Sequence, residues 1–308
     1  MNLQKMNTRI VLTLISAICS CQTLMAQMPT PGQAVSVSAS ASVDPSSNYK
    51  LKDADGIVLG ESSVTGDMRA VVSANIPLYR KGRELSLGIM PYYHFSGMRL
   101  KEDFGMNFGS DHHRYGAIVM GTASTRLFGR PFSVMGMINA DGWEQGYGQT
   151  QFICAGVWAL IRNERTYLGL GPVVLLGTSS QSPVYLAFMY LHRFNPKWSV
   201  NVTMAQNYIT YQPSKTTKLS GGMEIDCERF YFHPDRNDLP YRSVLSHCTW
   251  KSGLFLDHQL HQHVSLSTAI GYDLPMRDKV IEKNHHTTLM NLSRRPTPFA
   301  RVKVSCRM

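Results

Sequence analysis

The chain has 308 residues, 43% of them hydrophobic, and carries 31 Lys and Arg against 21 Asp and Glu, a net charge of +10 at pH 7. That length suits one large β-domain or two smaller domains. Beyond the first segment the longest apolar stretches are about ten residues, which is too short for a spanning helix but enough for a tilted β-strand.

The N-terminal segment reads as an export signal. Lys5 and Arg9 form a charged region, Ile10 to Cys19 is an apolar run, and Ala26 supplies a small residue before Gln27, so cleavage is expected after Ala26. Cys19 and Cys21 raise a lipidated alternative. Ile18 stands before Cys19 where a small residue is wanted, and the context upstream of Cys21 is poor, so ordinary cleavage is preferred. Residues 27–308 then form a single domain. An exported basic protein has no routine contact with nucleic acid. Its expected counterparts are acidic lipopolysaccharide headgroups, outer-membrane lipid or anionic solutes, with the barrel-assembly machinery as a transient partner. Four cysteines remain, Cys154, Cys227, Cys248 and Cys306, without the spacing of a zinc site. Disulfides are permitted in the oxidising periplasm.

Period-two alternation runs along nearly the whole mature chain. It is plainest from Val35 to Val43. In the next segment Met68, Ala70, Val72, Ala74 and Ile76 share one face, opposite Arg69, Ser73 and Asn75. Tyr115, Ala117, Val119, Ala123 and Leu127 alternate with Thr122, Ser124 and Arg126. Ala300, Val302, Val304 and Cys306 close the chain in the same way. A soluble sandwich would also alternate. The connections separate the two readings. Short polar turns are expected at Arg80–Glu84, Gly129–Arg130, Arg162–Arg165, Asn195–Lys197 and His258–Gln262. Long connections are expected at Asp44–Asp67, Met98–Arg114, Gly142–Gln149, Phe230–Arg242 and Leu274–Pro298. Aromatics crowd the short turns at Tyr79, Phe128, Phe132, Phe194 and Trp198, as an interfacial girdle would.

These features predict an all-β, antiparallel transmembrane barrel of the outer membrane. Crossings come in pairs when both termini lie in the periplasm. Pro213 to Thr216 is a good turn sequence, so four crossings fit between Pro196 and His258 and the barrel has fourteen strands. If Val200 to Tyr211 is one long strand, the number is twelve. The signal segment, Asn75–Ile76–Pro77–Leu78–Tyr79, Arg126–Leu127–Phe128–Gly129–Arg130–Pro131 and Phe194–Asn195–Pro196–Lys197–Trp198 resemble recurrent features of uncharacterised outer-membrane barrels of Bacteroidota. That resemblance implies the barrel fold and carries no catalytic residues. Where many such barrels end in an aromatic, this chain ends Arg307–Met308.

Catalytic chemistry finds little support. There is no Gly-x-Ser-x-Gly elbow, Gly169 and Gly171 lack the third glycine of a nucleotide loop, and Ser246 and His247 are adjacent and point to opposite faces. No cofactor motif is present and the protein is not expected to be an enzyme. The pairs His112–His113 and His285–His286, and the group His258, His261 and His263, could hold a metal if loops converged. Solvated loop residues are the commoner outcome, and no metal site is expected. Charged residues inside strands say more. Arg69, Arg126, Glu224, Asp226, Lys251, Arg301 and Lys303 fall on the polar phase, and a cation facing mid-bilayer lipid would cost about 2–4 kcal/mol, so they are expected to line the lumen. They could form interior ion pairs or a cation-lined path favouring anions. The expected function is a narrow channel or passive transport protein. The alternative is a filled structural or surface-interaction barrel without transport.

One register is specific. If facing residues on the hairpin around the Phe230–Arg242 loop have a constant sum, Cys227 can oppose Cys248. Glu224 then opposes Lys251, Glu228 opposes His247 and Ile225 opposes Trp250. A disulfide between Cys227 and Cys248 is possible at such a site.

Overall fold

In the computed structural model the described residues are 35–308, apart from 46, 83, 102–103, 105, 107–110, 178–182, 236, 238 and 283–286. The expected signal segment and the His285–His286 pair lie outside them.

The described chain is all strand and turn, in sixteen segments. In order they are β1 (Ser36–Asp44), β2 (Ser47–Asp53), β3 (Val58–Lys81), β4 (Leu85–Leu100), β5 (Asp111–Leu127), β6 (Arg130–Trp143), β7 (Gly146–Arg162) and β8 (Thr166–Leu176). There follow β9 (Val184–Arg193), β10 (Trp198–Thr203), β11 (Gln206–Tyr211), β12 (Thr217–Phe232), β13 (Ser243–His261), β14 (Val264–Glu282), β15 (Thr288–Arg294) and β16 (Thr297–Arg307). β1 and β2 are successive halves of one strand, since both pair with β3. β15 and β16 are likewise halves of one strand along β14. The first strand pairs with the last, through β1 with β16 and β2 with β15, so the sheet closes. The result is a closed antiparallel barrel of fourteen strands.

Alternation sets the two faces. Val43, Met68, Val72, Leu186, Leu254, Ile270 and Val302 are exposed on the outside, while Asp44, Arg69, Ala187 and Ala269 turn inward and are buried. Such a continuous apolar exterior is costly in water and is what hydrocarbon requires. Tyr79, Phe128, Phe194 and Trp198 stand exposed at the short-turn end. Both ends of the described chain meet there, with Ser36 paired to Arg307.

The other end differs from expectation. Asp44–Asp67 and Leu274–Pro298 are not long loops: β2 and β3 stay paired to a tight reversal at 54–57, and β14 runs to Glu282 before β15 pairs back. Antiparallel pairing simply continues past the apolar band, with Lys50 and Lys52 alternating around the buried Leu51.

The wall is also uneven. β10 and β11 have six residues each, whereas β13 and β14 have nineteen. The chain reverses at Met204 and Ala205, where Thr203 Oγ1 accepts the amide protons of Ala205 and Gln206 at 3.2 and 3.0 Å. Two short strands therefore stand where a single long one would have given twelve. The β11–β12 ladder ends at Gln206 opposite Glu224, so β12 beyond Ile225 has β13 on one edge only.

Freed on that side, the upper parts of β12 and β13 turn into the barrel. Arg114 of β5, across the lumen, places Nη1 3.5 Å from the Arg229 carbonyl, and the Tyr231 hydroxyl donates to Asp141 of β6 at 2.8 Å. A row of glycines lies just below, with Gly222 opposite Gly253 and Gly253 opposite Gly271. A Cβ at Gly253 would fall 2.1 Å from the Ile270 carbonyl oxygen, and one at Gly271 2.0 Å from that of Ser252. Only glycine lets the strands approach this closely. Above the row both faces are buried. Phe230 and Phe232 pack with Leu51, Met98 and Val280, while Tyr231 packs with Val244 and Ile281.

Candidate functional site: a basic vestibule under a buried charge network

Below the glycine row the lumen is open. A cavity of about 1210 Å³ extends from the short-turn end, ringed by the turns at 163–165, 195–197 and 258–263. Its walls carry eight Lys and Arg against four Asp and Glu, so this vestibule is basic. The excess raises the local concentration of small anions through long-range attraction. Lys303 projects into it from β16, and Arg301 lies deeper on the same strand.

The floor is built from ion pairs. Arg301 is paired with Glu224, whose second oxygen accepts the Tyr208 hydroxyl at 2.6 Å. Above it, Lys251 Nζ lies 2.7 Å from Asp226 Oδ2, and Lys251 is 1% exposed. Arg69, 3% exposed, gathers carboxylates from three strands: Asp67 at 2.5 Å, Glu228 at 3.0 Å, Asp44 at 3.3 Å and Asp226 at 3.9 Å. A separate cluster holds Asp278 between His247 and Arg294, with Arg294 Nε donating at 2.7 Å. Buried charges are tolerable only when paired and hydrogen-bonded, and the Arg69 group links β1 and β3 to the inward-turned β12.

Of the lumen candidates read from sequence, six enter this system: Arg69, Glu224, Asp226, Lys251 and Arg301 in ion pairs, and Lys303 on the vestibule wall. Arg126 does not. It shares the inward phase of Ile118 and Met120 but stands exposed near the short-turn rim, opposite Pro131. The central charge also differs from a cation-lined path. Around Arg69 and Lys251 stand Asp44, Asp67, Asp226, Glu228 and the wholly buried Asp273, so carboxylates outnumber cations. Asp44, Asp67 and Glu228 are not among the lumen candidates that the sequence singles out. Asp44 and Asp67 bounded a stretch taken for a loop, although Asp67 shares the phase of Arg69 and Glu228 that of Glu224.

The β12–β13 register sums to 475 throughout, pairing Glu224 with Lys251, Ile225 with Trp250 and Glu228 with His247. Cys227 and Cys248 are disulfide-bonded with Cα atoms 4.1 Å apart, whereas Cys154 and Cys306 are free. The opposite wall is apolar: Met90, Ile118, Met120, Met137, Ile153 and Val173 pack on the inner faces of β4 to β8. Among the described residues no group of His, Cys, Asp and Glu has the geometry to hold a metal ion.

No protein-family model matches the sequence, and no curated protein matches it. Among solved structures the chain is similar to a FadL homologue of Pseudomonas aeruginosa, at 11% identity over 93% of this chain and 92% of that one, with a TM-score of 0.42. It is similar to an outer membrane channel from Pseudomonas putida F1, at 10% identity over 90% and 100%, with a TM-score of 0.46. Outer membrane phospholipase A from Escherichia coli is similar at 10% identity over 96% and 98%, with a TM-score of 0.33. Likeness at this level transfers no solute or chemistry to this chain. The fold rests on the closed strand ladder.

Proposed function

We propose that the protein is an outer-membrane passage protein for small, preferentially anionic solutes, exported by the 1–26 signal segment and inserted with both ends in the periplasm. The observation that carries this reading is the basic vestibule of about 1210 Å³ at the short-turn end. A purely structural barrel has no need of so large a polar recess. The path is shut at rest by the inward-turned parts of β12 and β13 and by the Arg69 and Lys251 ion pairs beneath them. Lipopolysaccharide and membrane lipid surround the barrel in this reading, and the resemblance to uncharacterised Bacteroidota barrels is consistent with it.

The test is conductance in planar bilayers. Wild-type protein should conduct weakly or intermittently with anion preference, and Arg69→Ala, which loosens the closure, should conduct more. Replacing Arg301 and Lys303 by Glu should weaken or reverse the preference. A permanently filled barrel acting through its outer hairpins is the second reading, favoured by the double-sided packing of Phe230, Tyr231 and Phe232. Silence of both wild type and Arg69→Ala, in protein whose migration still shifts on heating, would decide for it.

A further inference from the structure

A second, smaller cavity of about 250 Å³ lies at the long-loop end, where β12 crosses to β4, β5 and β6. Arg114 and Arg229 both line it, with Trp143, Phe230 and Phe232 beside them. Arg229 is 8% exposed. It donates to the Gln149 amide oxygen at 2.9 Å, and the Gln151 amide, turned so that its oxygen faces the guanidinium, accepts from it as well. Arg114 donates through Nη2 to His94 Nδ1 at 3.1 Å and through Nη1 to the Arg229 carbonyl. Both guanidiniums are thus held by neutral groups. Among the described residues neither has a carboxylate at ion-pair distance, in contrast to Arg69, Lys251, Arg294 and Arg301. The nearest acid on this side, Asp141, already accepts the Tyr231 hydroxyl and the Gln149 amide.

One buried donor here lacks an acceptor, and one buried ring nitrogen lacks a partner. Arg114 Nε and His112 Nε2 are buried without any hydrogen-bond partner, and both residues line the cavity. His94 adds no vacancy: with Nδ1 accepting from Arg114, its proton sits on Nε2, which faces Glu228 at 3.6 Å. Such unsatisfied donors are costly and are retained where a ligand satisfies them. Two carboxylates do line the cavity, Asp111 and Glu144, but both are exposed, and Glu144 lies 3.4 Å from His113 Nε2. They belong to the mouth, where they disfavour highly charged anions.

We propose that this cavity is a binding site for a small organic anion, a single carboxylate carried on a planar or short apolar body. The guanidinium forks of Arg114 and Arg229 take the carboxylate, as arginine does in two-point recognition. Trp143 and Phe230 take the ring faces. The volume is below that of drug-sized sites, which limits the body to about one ring. The site stands independently of transport: it is separated from the vestibule by the Arg69 network and would exist in a filled barrel too.

Calorimetry on the purified full-length barrel in detergent tests this with benzoate as the probe, and benzyl alcohol and benzylamine as neutral and cationic counterparts. Benzoate should bind saturably and the other two should not. Arg229→Gln and Arg114→Gln should each weaken benzoate about tenfold or more, the loss of a charge-assisted fork. If Arg229→Gln does not fold, judged by loss of the heat-dependent gel shift, the part-exposed Arg114→Lys takes its place. It keeps the charge but loses the fork, and should still weaken benzoate. No saturable benzoate binding, equal binding of benzyl alcohol, or unchanged affinity in a folded arginine variant would each overturn the proposal.

Discussion

The two halves of this barrel use the same strands differently. Toward the short turns the strands keep one apolar face outward and the other toward the lumen, and the interior holds a wide, largely polar recess beside the apolar inner wall of β4 to β8. Toward the long-loop end β12 and β13 leave the cylinder, and their side chains are buried on both faces. Ser243 to Thr249 is buried without a break, whereas Leu254 to His261 alternates or is exposed. A sheet keeps strict alternation only while one face meets lipid and the other the lumen. Once a segment lies inside, both faces must be apolar or paired.

The glycine row is where that difference is sharpest, and breaking it should have the largest effect. Gly253→Val places side-chain atoms against the Ile270 carbonyl, whose oxygen is 2.1 Å from the Cβ position. The expected loss is about 4 kcal/mol or more, the exceptional end for one substitution. In gel assays the heat-shiftable folded form should be scarce or absent. Gly136→Ala is the control, since nothing lies within 4 Å of its Cβ position. A Gly253→Val barrel as stable as Gly136→Ala would show that no close approach is needed there.

Next comes the ion-pair network just above the row. Arg69→Ala strips the counter-charge from Asp67, Asp44 and Glu228 at once, and removing one member of a buried ionic group costs about 3–5 kcal/mol. Urea unfolding of the detergent-solubilised barrel measures it. Arg126→Ala, at an exposed rim position, should stay within about 0.5 kcal/mol of wild type. Equal effects at the two positions would contradict the division between a paired interior and a solvated rim.

Much of this division was legible in the sequence, and the rest had physical reasons to hide. Alternation at Val35–Val43, Met68–Ile76 and Ala300–Cys306 marks strands whose faces see different solvents, so the phase of Arg69 or Lys251 follows, while the order of the turns, paired crossings and the Pro213–Thr216 turn give the strand number. The 475 register was readable because two cysteines and the Glu224–Lys251 pair fit one offset. The inward turn was not read, although its signal is present. Phe230–Tyr231–Phe232, Val244–Leu245 and Val280–Ile281 put apolar side chains on both phases at the loop-proximal ends of three adjacent strands. Taken as loop flanks, such runs look like noise in an alternating pattern. The Arg114–Arg229 site could not be found from alternation at all, because it depends on β12 crossing the lumen to residues over a hundred positions away.

The disulfide should rank third. It ties β12 to β13 across a separation of 21 residues, and closing a loop of that length restrains the unfolded chain by about 3 kcal/mol. Replacing both cysteines by serine should lower the unfolding free energy by that much, and the urea midpoint with it, while leaving the heat-dependent gel shift in place. Reducing the wild-type protein should lower it equally, and should have no effect on the double variant. A midpoint unmoved by either treatment would place the restraint in the strand ladder alone.

The smallest effect is expected where pairing continues past the apolar band. Lys50 and Glu61 face each other on the β2–β3 hairpin and form an ion pair, but their side chains are 48% and 61% exposed. An exposed pair gains little Coulomb energy in water, loses side-chain freedom and is screened by salt, so its net worth is under about 1 kcal/mol. Lys50→Ala should therefore shift the urea midpoint barely, and less still in high salt. The comparison with Arg69 is informative because β3 carries both Arg69 and Glu61, eight positions apart on one strand, with Arg69 buried in the lumen and Glu61, beyond the register shift at Val64–Asp67, exposed. If position along the strand decides the cost, the two substitutions should differ severalfold. A loss at Lys50 approaching that at Arg69 would mean that the outer hairpin is held as rigidly as the interior, and that the two halves of the barrel unfold as one.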